Sequence, residues 1–346
     1  MTLTGPDVRI LQIHPTRRCN LRCLHCYSSS GPRERGELGA PLLLNAVSDA
    51  ASLGYNVLSV SGGEPLLYTH LEAICRRAHR HGMITTLVTN GTVITQRKMH
   101  DLRHLVDMMA ISLDGAPERH NQMRGSATAF ERMRSRLELV RQAGIPFAFV
   151  FTLTQENLPD LEWAADFAVE QGAAMLQVHP LEEYGRACTD LAGQSLADQQ
   201  TGTAWMVVEC LREIFRDKLS IHLDALTRNQ LPVAPAVVAD WLRDFEDGRR
   251  SLGEIVSPLV IEDDATVSPM RYGFPRNFAL GSLHTHTLAE LAEDWKHRRA
   301  RAFCEMYSNT LRKIRDSECM FGNVYELLAQ EAGTFATFDF ASTLGR

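Results

Sequence analysis

Cys19, Cys23 and Cys26 fall within eight residues of one another in the stretch His14–Ser28 (HPTRRCNLRCLHCYS), directly behind the apolar run Val8–Ile13. Three thiols in a C-x3-C-x2-C pattern are hard to account for as packing and read as ligands of one metal centre. The loop supplies three thiolates and no fourth. Structural zinc takes four Cys or His ligands, and His25, between Cys23 and Cys26, is poorly placed to complete a tetrahedron. Iron–sulfur clusters take one thiolate per iron, so a four-iron cluster on this loop would keep one iron open to a substrate or cofactor.

Such a loop needs elements to position it. Apolar β-type runs at Val8–His14, Val57–Ser61, Ile84–Thr89, Met108–Leu113, Pro146–Thr154 and Met175–His179 alternate with amphipathic stretches at Pro41–Leu53, His70–His81, Gln96–Leu105, Ala129–Ala143 and Leu158–Glu170. That alternation predicts an α/β fold, a partial (β/α)6 TIM-like barrel over residues 1–190. Each strand candidate runs into polar or glycine-rich sequence: the cysteine loop, Ser61–Pro65, Thr89–Thr92, Ser112–Gly115, Thr152–Asn157 and His179–Ala187. In parallel barrels those carboxyl ends carry the chemistry. After about residue 190 the rhythm stops, and residues 191–346 read as a smaller α+β extension with helices at Asp198–Phe215, Val237–Asp247 and Leu288–Phe303, a strand at Leu219–Leu223 and a hairpin around Glu262–Asp264.

Composition narrows the class. At 45% hydrophobic and 23% charged residues over 346 positions, the chain can bury a full core. A net charge of −6 argues against a mainly electrostatic nucleic-acid binder. No apolar run reaches the roughly eighteen residues of a membrane span, and the N-terminus has no signal-peptide pattern, so the expected setting is the cytoplasm. Eight cysteines are too sparse for a disulfide scaffold and suit metal binding in a reducing compartment.

Cys19-x3-Cys23-x2-Cys26-Tyr27, followed by Gly62-Gly-Glu-Pro65 at the second strand, resembles the radical S-adenosylmethionine (radical SAM) superfamily over about Ile10–Ala187. The resemblance implies one [4Fe-4S] cluster held by Cys19, Cys23 and Cys26, with the open iron chelated by the amino and carboxylate groups of SAM. It also implies an external one-electron reductant, such as flavodoxin or ferredoxin, and reductive cleavage of SAM to methionine and a 5′-deoxyadenosyl radical that abstracts hydrogen from a substrate. On that reading Gly62 and Gly63 allow close approach, Glu64 accepts from the methionine ammonium, and Tyr27 helps position the adenine. Ser112 and Asp114 are candidates for the ribose or carboxylate. Arg124 pairs with the carboxylate or forms an ordinary ion pair; Asn90 and Asn157 are SAM contacts or turn residues.

The segments SLDG, HNQMRG, FTLTQEN and PLEEYGRA resemble the branch of that superfamily bearing SPASM or twitch extensions, which matures peptides and proteins and performs some small-molecule chemistry. Asp264–Met270 resembles the hairpin opening a SPASM domain, but Met270 stands where a cysteine is common, and the cysteine-dense cluster motif is missing. The expectation is a degenerate extension with no auxiliary cluster. Redox-neutral outcomes such as epimerisation or rearrangement then gain over dehydrogenative crosslinking. Cys319 and Cys304 are candidate hydrogen donors, or small buried hydrophobes. His179, Glu182, Glu183 and Tyr184, after the sixth strand, are candidates for substrate binding or proton transfer, with a satisfied core histidine the alternative for His179; Glu182 and Glu183 point in different directions if the segment is extended, so at most one of them reaches the site. Lys296–Arg301 is the strongest basic run and reads as a solvated helix end. Only eighteen residues precede Cys19, so recognition of a leader would fall to a separate leader-peptide-binding protein or to the extension. The expected substrate is a ribosomally synthesised precursor peptide, the alternative a small-molecule metabolite; neither a nucleic acid nor a membrane is expected as a partner.

Overall fold

Short runs rich in Val, Ile, Leu and Phe, apolar on both faces, form a parallel sheet covered by helices. In the computed structural model, which describes residues 8–227, 235–316 and 321–335, β1 (Ile10–Ile13), β2 (Val57–Val60), β3 (Ile84–Thr89), β4 (Met108–Ser112), β5 (Phe147–Leu153) and β6 (Met175–Pro180) pair in sequence order, all parallel. Register pairs Ile13 with Val60 and Ser112 with Val150, which brings the carboxyl ends to one rim. Helices Ala40–Ser52, Leu71–Arg80, Gln96–Leu102 and Leu161–Gln171 make the crossovers; the long helix expected over Ala129–Ala143 is instead two short ones, Ala129–Arg134 and Leu137–Gln142. Pro117–Arg124, not foreseen as a helix, ends at Gly125 with φ 61°, a left-handed cap that glycine adopts at no steric cost.

The sheet does not stop at β6. Ser220–Leu223, read from sequence as part of the extension, is β7 and adds parallel to β6 with Met175 opposite Ser220. Leu226–Thr227 (β8) pairs with Phe321–Gly322 (β12) in a separate two-stranded sheet. On the other edge Leu259–Ile261 (β9) lies parallel to β1, followed by antiparallel Thr266–Pro269 (β10) and Gly281–Ser282 (β11). The order is β11-β10-β9-β1-β2-β3-β4-β5-β6-β7, and the sheet does not close. The result is the expected partial barrel, and segments after residue 190 extend its sheet at both edges.

Helices Asp198–Ile214, Pro235–Glu246, Leu288–Arg298, Ala300–Asp316 and Val324–Phe335 complete the chain. Trp295 is fully buried, donates to Phe278 O at 2.9 Å and packs with Phe245 and Phe303. Three side chains of the basic run after Lys296 are paired: His297 with Glu293 at 2.8 Å, Arg298 with Asp294 at 2.7 Å, Arg301 with Glu246 at 2.8 Å. It is a solvated helix end. Among the described residues no helix is long and apolar enough to cross a membrane.

Candidate functional site

The cysteine loop leaves β1 and is gripped from two sides. On one, Gly63 N donates to Thr16 O at 2.8 Å and Glu64 N to Arg18 O at 2.9 Å. A Cβ on Gly63 would sit 2.3 Å from Arg18 O, so glycine is required for the β2 exit to pack under the loop. Gly62 and Gly63 thus have a role within the chain itself, and the Gly63 N–H serves the cysteine loop. On the other side, Gly185 has φ 61°, and a Cβ there would meet Tyr27 O at 2.1 Å. The next residue, Arg186, donates from its backbone N to Cys26 O at 3.0 Å, from Nε to Cys23 O at 2.8 Å and from Nη2 to Ser30 O at 2.7 Å. Sequence reasoning passed over Arg186; its adjacency to a glycine at a strand end was the available signal.

All three loop sulfurs have hydrogen-bonding neighbours. Leu21 N donates to Cys19 Sγ at 3.4 Å and Asn90 Nδ2 at 3.8 Å; Arg124 Nη1 donates to Cys23 Sγ at 3.7 Å; Cys26 Sγ and Ser28 Oγ are 3.5 Å apart. Burial pushes the Cys19 thiol up to about 12 and also raises Cys23, against the opposing pull of Arg124. A bound metal reverses that preference and releases protons. Among the described residues no three His, Cys, Asp or Glu side chains converge tightly enough to hold a single ion. Three thiols that line one cavity, each with a hydrogen-bonding neighbour, fit a multi-iron cluster in which every iron takes its own thiolate.

That cavity, about 450 Å³, is lined by Cys19, Cys23, Cys26, Tyr27, Gly62, Gly63, Asn90, Ser112 and Arg124. Tyr27 OH lies 3.1 Å from Ser61 Oγ, with its ring against His14 and Tyr272. Three expected contacts stand behind the wall instead. Glu64 is fully buried: Oε1 accepts from Thr89 Oγ1 at 2.8 Å and Leu66 N at 3.1 Å, and Oε2 from Asn90 N at 2.9 Å. Burial pushes its carboxyl up, and those donors oppose the shift. Asn157, also fully buried, spends its amide on Thr152 O, Asp114 O and Thr154 N, the turn role. Asp114 is fully buried with Oδ2 at 2.6 Å from Arg124 Nε and 3.5 Å from His25 Nε2. Burial alone would raise its carboxyl, but Arg124 and His25 hold it well below the usual range. Burial lowers His120 to about 3, and its Nδ1 accepts from Asp114 N at 3.2 Å. Asp114 therefore reaches the cavity through its partners, among them Arg124 and His25, which both line it.

The same cavity is also lined by His179, Glu182, Tyr184, Asp224, Arg271, Asn323 and Tyr325. His179 Nδ1 pairs with Asp224; burial lowers its basicity, and the carboxylate more than restores it, leaving it raised. Glu182 is held by Arg271 and by Asn323 Nδ2 at 3.1 Å, with Arg271 over the Tyr184 ring at 5.2 Å. Glu183 points away, accepting from Ser195 Oγ at 2.7 Å and Gly193 N at 2.9 Å. Asp224, Arg271 and Asn323 come from the extension, and only β7 and the hairpin hinted at them. Met270 lines the cavity with φ 68°. Cys304 does not: it sits on the apolar face of Ala300–Asp316, 4% exposed, so the structure does not bring this expected hydrogen donor to the site. Cys319 lies outside the described residues.

Residues 13–168 match the family model described as the Radical SAM superfamily. Over 181 residues the chain is 34% identical to an AdoMet-dependent heme synthase of Methanosarcina barkeri (strain Fusaro / DSM 804), covering 51% of this chain and 52% of that protein. Over 272 residues it is 28% identical to a PqqA peptide cyclase of Ruegeria pomeroyi (strain ATCC 700808 / DSM 15171 / DSS-3), covering 78% of this chain and 68% of the relative. The chain thus spans about half the length of the first of these relatives and two thirds of the second. Among solved structures, Streptococcus suis SuiB bound to S-adenosylmethionine superposes with a TM-score of 0.65 at 15% identity, over 90% of this chain and 77% of that one. Native anSMEcpe with bound AdoMet gives 0.62 at 19% identity, over 94% and 96%. At those identities the likeness is one of fold.

Proposed function

We propose, from the premise that this chain carries a radical SAM domain, that it is an enzyme that binds one [4Fe-4S] cluster and SAM in this cavity and modifies a ribosomally synthesised peptide. The observation that carries the reading is a single cavity lined by Cys19, Cys23 and Cys26 together with Tyr27, Gly62, Gly63, Asn90, Ser112 and Arg124. When bound and reduced by one electron, the cluster with SAM supplies a 5′-deoxyadenosyl radical that takes a hydrogen atom from the substrate. The chain's own residues do the rest. Leu21, Asn90, Arg124 and Ser28 hydrogen-bond the ligand sulfurs, which tunes a cluster's potential. Arg186 and the two glycines fix the loop. The Tyr27 ring offers an apolar face for the adenine.

In this reading residues 1–190 hold the cluster and SAM, and residues 191–346, a SPASM- or twitch-like extension, form part of the substrate side through Asp224, Arg271 and Asn323. Glu182 and His179 orient substrate or carry protons there. The outcome is redox-neutral, an epimerisation or rearrangement: the other described cysteines, Cys75, Cys188, Cys210 and Cys304, sit on four separate helices, and none lines the cavity. The seven described cysteines are free thiols, which suits the cytoplasm.

The peptide reading is favoured by reach. The match to the cyclase, at 272 residues, extends beyond the radical SAM domain into the extension that would bind substrate. A small-molecule substrate is the second reading, favoured by the higher identity, 34%, of the shorter match to the heme synthase. Mass spectrometry of a short peptide encoded beside this gene, incubated with reconstituted enzyme, SAM and reductant in D2O, separates the possibilities. A product of unchanged mass in H2O that carries one additional carbon-bound deuterium when formed in D2O supports the redox-neutral peptide reading. Loss of two hydrogens contradicts the redox-neutral outcome, and an untouched peptide contradicts the peptide substrate.

A further inference from the structure

The outer face of the cysteine loop carries a charge opposite to that of the chain. Arg17, Arg18, Arg22, Arg33 and Arg35 stand between residues 17 and 37 against only Glu34 and Glu37, in a protein of net charge −6. The segment after the loop folds back along it. Cys19 N donates to Gly31 O at 3.2 Å, Gly31 N donates to Arg17 O at 3.1 Å, and Thr16 and Glu37 form an antiparallel bridge. Arg33 is therefore two residues, at most about 7 Å of chain, from the backbone partner of a cluster ligand. Arg17, Arg18 and Arg22 make solvent-facing pairs with Glu34, Glu37 and Asp190 at 3.7, 3.3 and 3.3 Å. Arg33 and Arg35 are exposed, and neither has a carboxylate partner among the described residues; Arg35 donates only to Pro32 O and Glu34 O. None of the five lines the cavity.

We propose that this basic rim is the docking surface for the electron donor, and that the donor is a small acidic one-electron carrier protein. The inference rests on the proposed function, which needs one electron delivered to the cluster for each SAM cleaved. The cavity is taken by SAM and substrate, so a protein donor has to approach the ligands from outside. The rim is the outer surface next to them, and exposed charge of one sign speeds encounter with an oppositely charged partner. In each encounter the donor is oxidised by one electron; that electron passes to the cluster and is consumed in breaking the sulfonium C–S bond of SAM. Arg33 and Arg35 steer the carrier, and the paired arginines exchange their carboxylates for the carrier's.

The test uses the reconstituted holoenzyme with an acidic flavodoxin hydroquinone as donor and, separately, with dithionite. Both flavodoxin oxidation and 5′-deoxyadenosine are followed against donor concentration and ionic strength. The double variant Arg33→Glu, Arg35→Glu is compared with wild type and with Arg97→Glu, a reversal on a helix remote in sequence. The expected result is a rise of about tenfold or more in the flavodoxin concentration needed for half-maximal rate, with a flatter salt dependence. Dithionite-driven rates and iron content should not change, and Arg97→Glu should match wild type. Unchanged flavodoxin dependence overturns the proposal, as does an equal loss with both donors, which would make the arginines structural. A raised KM for a precursor peptide, with flavodoxin dependence unaltered, overturns it in favour of a peptide-binding rim. A wild-type protein that holds no cluster under dithionite overturns the proposed function itself.

Discussion

Arg124 Nε lies 2.6 Å from Asp114 Oδ2, and the same guanidinium reaches the Cys23 sulfur at 3.7 Å, so a buried ion pair is tied directly to one of the three loop thiols. Arg124→Gln leaves a fully buried carboxylate without its counter-charge, at an expected cost of about 3–5 kcal/mol. Adding Asp114→Asn should recover part of that loss, because partners in contact are not additive. Denaturant unfolding of the four proteins of this cycle measures the coupling; additive losses would mean that the pair is not a unit. The Asp114 carboxyl is held below its ordinary value, so its contribution is present above the unfolded carboxylate pKa, about 3.9, and is lost as pH falls through the lower folded value. The difference between wild type and the double variant should be flat from about pH 5 to 8.

Two glycines with different surroundings separate strain from collision. Gly82 has φ 71° with nothing within 4 Å of an added Cβ, so Gly82→Ala should cost about 1–2 kcal/mol in left-handed strain and leave iron binding intact. Gly63→Ala drives a Cβ to 2.3 Å from Arg18 O and should push the cysteine loop off the β2 exit. Iron content after anaerobic reconstitution is the readout. Normal loading of Gly63→Ala would contradict the packing role assigned to it.

Arg186 holds the cysteine loop through side-chain hydrogen bonds to Cys23 O and Ser30 O. Arg186→Ala should lower cluster occupancy and broaden the electron paramagnetic resonance signal of the reduced cluster. Charge-assisted bonds of this kind are worth about 1.5–3 kcal/mol each. Arg186→Lys keeps one donor and should fall between the two. An unchanged spectrum with full loading in Arg186→Ala would show that the loop keeps its shape without the clamp.

Glu182 is held by Arg271 and Asn323, and His179 by Asp224, and all five line the same cavity as the cysteines. Glu182→Gln should raise the 5′-deoxyadenosine formed per modified substrate by about tenfold, the loss expected of one misplaced substrate contact. An unchanged ratio would remove Glu182 from the substrate side. His179 has a raised pKa, so the Asp224 pairing stabilises fully below the unfolded value of about 6.5 and is lost as pH rises through the folded one. The stability gap between wild type and Asp224→Asn should therefore narrow as pH rises from about 6.5.

Much of the barrel and the place of the cysteine loop in it was legible, because strand runs, helix periods and thiol spacing are local signals. Tyr27, Gly62, Gly63, Asn90, Ser112 and Arg124 all line the cavity because each follows a parallel strand or its crossover at the same rim. Glu64, Asp114 and Asn157 do not line the cavity, a distinction sequence cannot draw, since it does not tell a polar side chain facing a cavity from one satisfying the turn behind it. Asp224, Arg271 and Asn323 were missed because they arrive through β7, a hairpin and a helix start that pair with distant sequence. Cys304 was a candidate by residue type alone, and helix periodicity turns it into the core.

The central claim is that Cys19, Cys23 and Cys26 hold a four-iron cluster that cleaves SAM. Anaerobic reconstitution of wild type and Cys23→Ala, with iron analysis and quantified 5′-deoxyadenosine under reductant, tests it most directly. The account predicts about four irons per wild-type chain, reductant-dependent 5′-deoxyadenosine, and no cleavage by Cys23→Ala. Zinc without SAM cleavage in the wild type, or undiminished cleavage by Cys23→Ala, would contradict it.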